Sequence, residues 1–424
     1  MAYVPVAFIL AGMAAYTVLA GADFGAGLWT LLTAGPLGGR DGAWVRDQAR
    51  HAMGPVWEAN HVWLIFVLVV CWTAYPVAFG SITSTLAAPL LIAALGIILR
   101  GAAYALRGVA DSSRAAENLL GVSSVLTPFA LGTAVGAIAV GHVPVGNAAG
   151  NPVTSWLSPA PVLVGALAVV FSGYLAAVYL AADSLRYHEP DLAVQFRWRA
   201  LAAGVVSGAL ALAGLFVLRG SGLDLTSGAA LALVCVSAVA GLATLGLCWA
   251  SRFGLARMTA ALAVAAVVIG WAAAQAPRFL PGMTVTQAAA GRSTMVALII
   301  AVACGLVVLV PSLALLYTLF LRGRLDTPES HAAGEAPVAP AGEMGAASVG
   351  AANAPQAAGV TRPGGAGRAR GAAGRWGTAA AAGLVAGAGL LVFTDAPWTH
   401  VLGVLGLLLC AVSVFALSVA PLDR

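Results

Sequence analysis

The chain has 424 residues, 61% hydrophobic and only 9% charged, and its mean hydropathy is +0.94. A soluble globule carries about 25% charged residues, so this composition excludes one and points to an all-α polytopic membrane protein. The net charge of +5 comes from arginine without a single lysine, and on a membrane chain it reflects arginine-bearing loops rather than affinity for nucleic acid.

Taken in order, the apolar stretches predict spans at about 4–33, 55–77, 79–106, 122–143, 158–183, 199–218, 227–250, 256–275 and 293–321, each near the roughly 20 residues that a membrane helix needs. Nothing at Met1-Ala-Tyr-Val has the basic character of a cleaved signal, so the first helix is expected to stay in the mature protein. Arginines gather after the first, third, fifth, seventh and ninth spans, from Arg40, Arg46 and Arg50 through Arg107 and Arg114 to Arg322 and Arg324. The other side holds only Arg219, Arg278 and Arg292. Cytoplasmic loops collect positive charge, which predicts an N-terminus outside and a C-terminus inside.

From about 325 to 375 the chain turns to Ala, Gly and Pro with scattered charges, a composition that cannot bury enough surface to offset its ordering entropy. The expectation is a nine-helix membrane domain over 1–322, a disordered cytoplasmic linker over 325–375 and a transmembrane hairpin over 376–424, turned at Asp395-Ala396-Pro397-Trp398. The five cysteines, Cys71, Cys235, Cys248, Cys304 and Cys410, lie in apolar runs and read as packing residues. Leu19-Ala20-Gly21-Ala22-Asp23 in span one is echoed by Leu180-Ala181-Ala182-Asp183 in span five, as an internal duplication or as the coincidence that Ala-rich helices produce.

The polar residues inside the spans carry the chemistry, because a bilayer tolerates such groups only where they face protein or water. Asp23 lies about nine residues, or ~13 Å, before the inner end of span one. Glu58 is within about one turn of the start of span two, and His61 follows three residues later on the same face, with Trp57, Asn60 and Trp63 on another stripe. Arg100 stands about two turns before Arg107, so all four groups belong to one half of the membrane. Glu58 and His61 can pass a proton directly or through one water. Asp23 at that depth must be neutral or paired, with Arg100 as the natural partner. Each has a plainer reading: Asp23 and Arg100 as a structural ion pair, Glu58 as an acidic first-turn residue favoured by the helix dipole, His61 as a donor to a backbone carbonyl. Trp57, Trp63 and Trp72 read as packing and interface anchors, and His142 and His400, near outer span ends, make poor haem ligands.

Gly21-Ala22-Asp23-Phe24-Gly25-Ala26-Gly27, then Gly54-Pro55-Val56-Trp57-Glu58-Ala59-Asn60-His61-Val62-Trp63, then Leu99-Arg100-Gly101-Ala102-Ala103-Tyr104-Ala105-Leu106-Arg107 resemble subunit II of the cytochrome bd-type quinol oxidases. Phe279-Leu280-Pro281-Gly282-Met283-Thr284-Val285-Thr286-Gln287-Ala288 resembles that family's segment before its last helix, and the likeness spans 1–322. It implies two four-helix bundles plus a peripheral helix, in a bacterial cytoplasmic membrane. It further implies a partner, subunit I, which carries haem b and haem d and the quinol site, so that no cofactor is bound directly here. By position, Asp23 and Glu58 match the family's acidic sites on a proton path, and Arg100 matches its arginine. Where the family often has Asp-Gly this chain has Glu58-Ala59, and His61 replaces a Glu or Gln. The terminal hairpin is not part of the family pattern and either takes the place of a small accessory helix or docks elsewhere.

The leading function is therefore the non-haem subunit of a quinol:oxygen oxidoreductase, with Asp23, Glu58 and His61 on a proton pathway and Arg100, Asn60 and Trp57 as structural and charge partners. A secondary transporter is the rival, though such folds usually interrupt matched helices near mid-membrane, and Pro89 and Pro311 do not form a matched pair. A purely structural subunit is the third reading.

Overall fold

The computed structural model describes residues 1–33, 57–107, 114–186, 188–220 and 223–321, with side chains omitted at 57–59, 105–107, 114–117 and at several positions of 307–321. The predicted linker and hairpin, His400 and Cys410 lie outside the described residues. The chain forms two compact units, Met1–Leu298 and Ile299–Arg424.

The helices are α1 (Val4–Leu32), α2 (Trp57–Ala74), α3 (Pro76–Thr85), α4 (Ala87–Arg107), α5 (Arg114–Ala139), α6 (Pro159–Arg186), α7 (Pro190–Arg219), α8 (Gly228–Trp249), α9 (Phe253–Gln275), the single turn α10 (Val285–Ala288) and α11 (Arg292–Leu321). Seven of these are long and apolar enough to cross a membrane. With α2 and α11, nine helices of 18 residues or more stand among the described residues, and the protein is an all-α polytopic membrane protein.

The predicted third span is two helices rather than one. Pro76 starts α3 and forces the preceding Tyr75 out of helical geometry (φ −136°, ψ 60°). Pro89 cannot donate to the carbonyl four residues back and its ring crowds it, so α3 stops at Thr85 and α4 begins at Ala87. A further proline, Pro128, sits inside α5 and was not anticipated as an interruption.

Packing is organised on α1, which lies against α2, α5, α6 and α9. Asn60 meeting Leu19 and Tyr75 meeting Ala2 show that α1 and α2 run antiparallel. Lipid gives helices no hydrophobic reason to associate with one another, so close association needs small residues. A Cβ on Gly25 would stand 1.8 Å from the Ser172 carbonyl oxygen, and one on Gly27 2.0 Å from Ser124 Oγ. The glycines of the first motif thus let α1 approach the α6 backbone and make room for the Ser124 side chain of α5. The largest buried cluster joins Ala22 and Ala26 of α1 to Leu175, Val178 and Leu180 of α6, Phe196 of α7 and Ala256 and Ala260 of α9.

Between α9 and α11 the chain makes a small antiparallel hairpin, β1 (Arg278–Leu280) and β2 (Met283–Thr284). Its turn uses Gly282 at φ +77°, a conformation that favours glycine. A capping box between Thr284 and Gln287 starts α10. At the opposite membrane end, α6 and α8 terminate on non-glycine residues in the left-handed region, His188 (φ 63°) and Ser251 (φ 57°), each of which costs about 1 kcal/mol or more.

Candidate functional site

Asp23, in the last third of α1, and Arg100 of α4 form a two-pronged ion pair. Arg100 Nε donates to Asp23 Oδ2 at 2.8 Å and Nη2 donates to Oδ1 at 2.6 Å. The same Nη2 also donates to the Asp23 main-chain carbonyl at 2.7 Å, and Nη1 donates to Ser124 Oγ of α5 at 2.9 Å. Tyr104, one turn beyond Arg100, donates its hydroxyl to Asp23 Oδ1 at 3.1 Å. The guanidinium lies 4.8 Å from the centre of the Phe24 ring and 5.6 Å from that of Tyr104.

Asp23 is 0% exposed and Arg100 1% exposed. A lone charge at such depth costs about 2.5 to 3.5 kcal/mol on insertion scales, so the pair survives because each charge is neutralised and hydrogen-bonded by the other. The expected pairing of Asp23 with Arg100 is present. Three of its supports were not foreseen. Tyr104 stands four residues after Arg100 within a motif already quoted, so its place on the same helix face was readable; Phe24 is part of the first motif but an apolar ring there gave no sign of this contact, and Ser124 lies outside every motif.

His61 of α2 is buried beside this pair. Its ring meets those of Tyr16 and Phe24 edge to face, both at 5.9 Å between centroids. Phe24 therefore contacts both the imidazole and the Arg100 guanidinium. Asn60 is also buried, and its Nδ2 donates to the Leu19 carbonyl at 3.4 Å. Asn60 and His61 thus both face α1, although the sequence pattern separated them onto different stripes: α1 is broad enough at this level to cover two adjacent positions about 100° apart. The backbone of Trp57 and Glu58 forms the first turn of α2, while their side chains lie outside the described set. Trp63 packs against the Tyr16, Ala20 and Phe24 cluster, and Trp72 is 63% exposed and stacked on Phe79. His142 is far from this region, its Nδ1 3.1 Å from the Ser155 carbonyl oxygen.

A second charge pair was missed. Asp183 of α6, noted only as an echo of Asp23, accepts a close hydrogen bond from Arg257 Nη2 of α9, which also donates to the Tyr179 carbonyl at 2.8 Å. The pair is partly open, with side-chain exposures of 26% for Arg257 and 20% for Asp183. Arg257 lies one residue inside the predicted span 256–275, beside the loop that follows the seventh span, and belongs to no motif that would mark it.

The sequence profile of the cytochrome bd terminal oxidase subunit II family matches residues 1–320. The fold is similar to a chain in the structure of the bd oxidase from Geobacillus thermodenitrificans, with a TM-score of 0.60 and 24% identity, covering 76% of this chain and 98% of that one. At that identity the likeness speaks for the fold. No curated protein matches the chain. The profile covers about three quarters of the sequence, including every residue of both charge pairs, and the chain belongs to the cytochrome bd terminal oxidase subunit II family, as a membrane-embedded subunit of a quinol oxidase.

Proposed function

We propose that this chain is the haem-free subunit that braces the haem-bearing subunit I and helps bring cytoplasmic protons to the site where oxygen is reduced to water. Haem b and haem d belong to that partner in this reading, together with the quinol site. The observation that carries it is the sealed Asp23–Arg100 pair with His61 one aromatic ring away. A membrane helix bundle that needed only packing would have no reason to keep an aspartate, an arginine and a histidine together at depth.

The residues divide the task. Glu58, in the first turn of α2, receives the proton, and His61, one turn deeper, carries it onward. Asp23 is the negative charge toward which the proton moves. Arg100, held also by Ser124 and the Asp23 carbonyl, keeps that charge fixed at its depth. Asn60 holds the start of α2 by its bond to Leu19, and Trp57, in the same turn, is assigned with it as a structural partner rather than a proton carrier. The same reading has two four-helix bundles with one peripheral helix, the N-terminus outside, and the Ala/Gly/Pro-rich stretch from 325 to 375 as a cytoplasmic linker to a terminal hairpin.

Glu58→Gln in the assembled complex keeps haem content and slows oxygen consumption by roughly tenfold or more, the scale of a lost proton-transfer group. Wild-type turnover removes Glu58 from the route, and loss of haem instead of turnover supports a purely structural subunit.

A further inference from the structure

The membrane end formed by α7 and the α8–α9 turn brings arginine and tryptophan side chains together. Arg197 and Trp198 of α7 sit against Ser251 of the turn and Trp249 at the end of α8, and Arg252 follows Ser251 in the chain. Arg197 Nη1 donates to Ser251 Oγ at 3.4 Å, its guanidinium lies 5.5 Å from the centre of the Trp198 ring, and the Trp198 and Trp249 rings meet edge to face at 5.7 Å. Both tryptophans are exposed, at 53% and 66%.

We propose that this surface binds the phosphate headgroup of an anionic phospholipid, held by Arg197, Ser251 and Arg252. Three independent features support it. Arg197 Nε is enclosed yet has no hydrogen-bond partner, and neither Arg197 nor Arg252 joins an ion pair among the described residues. Among the described residues, Asp183 at this end is taken by Arg257, while Glu189 and Asp191 at the start of α7 are outnumbered by Arg186, Arg197, Arg199 and Arg252, so their balance is positive.

The second feature is Ser251 itself. The α8 terminus closes by bonds from Arg252 N to the Leu247 carbonyl and from Ser251 N to the Cys248 carbonyl, a motif whose left-handed position is ordinarily glycine. A serine there accepts backbone strain in order to present a hydroxyl, and that hydroxyl faces Arg197. Third, Arg252 is the N-cap of α9 and offers no side-chain acceptor to the first-turn amides, which leaves them for an anion. Below this end the exposed apolar faces of α7 and α8, including Val205, Leu212, Val239 and Leu242, provide the surface for acyl chains. Tryptophans at headgroup level mark the boundary between the two.

The test is lipid retention by the complete complex, delipidated and then reconstituted into vesicles of zwitterionic phosphatidylcholine with or without phosphatidylglycerol, with bound lipid counted by mass spectrometry and haem content read in parallel. The wild type retains phosphatidylglycerol in preference to phosphatidylcholine. Arg197→Gln with Arg252→Gln lowers that retention roughly tenfold or more, as expected for two interfacial arginines. Ser251→Gly relaxes the turn and removes the hydroxyl, so retention falls while the thermal midpoint holds or rises. Should the double variant fail to assemble, Ser251→Gly alone decides. Equal retention of both lipids, unchanged phosphatidylglycerol in the variant that assembles, or displacement of the lipid by millimolar inorganic phosphate alone overturns the proposal.

Discussion

The two ion pairs, Asp23–Arg100 and Asp183–Arg257, use nearly the same parts. In each, an aspartate ends a Leu-Ala run, an arginine from another helix reaches both the carboxylate and a main-chain carbonyl, and a tyrosine ring lies 5.5 to 5.6 Å from the guanidinium. Their surroundings differ. The first is closed to solvent and gains a second carboxylate bond, Ser124 and the face of Phe24; the second is a fifth to a quarter exposed. The residues C-terminal to each aspartate explain the contrast. Beyond Asp23 come Phe24-Gly25-Ala26-Gly27, which draw α5 and α6 onto α1, and the helix continues for nine residues; beyond Asp183 come Ser184-Leu185-Arg186, where α6 ends. Depth and glycine, rather than the charged groups, decide which pair is sealed.

Breaking the first pair should have the largest effect. Arg100→Leu leaves a carboxylate buried without its counter-charge, a loss of about 3 to 5 kcal/mol, and is expected to lower the thermal midpoint and the yield of assembled complex more than Arg257→Leu does. Adding Asp23→Asn to Arg100→Leu should recover a large part of the deficit, because removing both charges is far less damaging than stranding one. Equal damage from Arg100→Leu and Arg257→Leu would show that sealing carries no weight.

Much of this architecture can be read from the residues. Hydropathy finds all nine long helices, because a helix in lipid must satisfy its own backbone and therefore needs a continuous apolar run, but it misses the starts of α4, α5 and α7 by eight or nine residues. The pairing of Asp23 with Arg100 follows from depth on two helices expected to run in the same direction. Other features depend on tertiary contact and leave little trace. Leu86 breaks a helix because of a proline three residues later, and hydropathy is blind to that. Asn60 is buried beside His61 because α1 is broad there, which a helical wheel of α2 alone cannot register. Arg257 sits five residues after Arg252, close enough to a loop to be counted with it, and only the position of α6 turns it into the partner of Asp183.

Gly27→Ala converts the first environment toward the second. The added Cβ would lie 2.0 Å from Ser124 Oγ, 3.1 Å from Ser124 Cβ and 3.4 Å from Arg100 Nη1, so the Ser124 hydroxyl must swing away, α5 must give by a few tenths of an ångström, and Arg100 loses its hold on Ser124. Overpacking of this kind costs about 1 to 3 kcal/mol, and the expected result is a lowered thermal midpoint with haem retained. An unchanged midpoint would mean that α1 and α5 have slack which the close approach does not suggest.

The smallest effect belongs to the second pair, and salt gives it a signature. Asp183→Asn removes one charge from a partly exposed bridge, where such pairs contribute about 1 kcal/mol or less. Water that reaches Arg257 also brings counter-ions, so the difference between wild type and Asp183→Asn should shrink as ionic strength rises from about 0.01 M to 0.15 M, where the screening length falls from about 30 Å to 8 Å. Water is excluded from the first pair, and the Arg100→Leu deficit should stay the same over that range. A deficit at Arg100 that fades with salt as the Asp183 one does would place ions, and hence solvent, beside Asp23, and the distinction drawn from Gly25 and Gly27 would no longer hold.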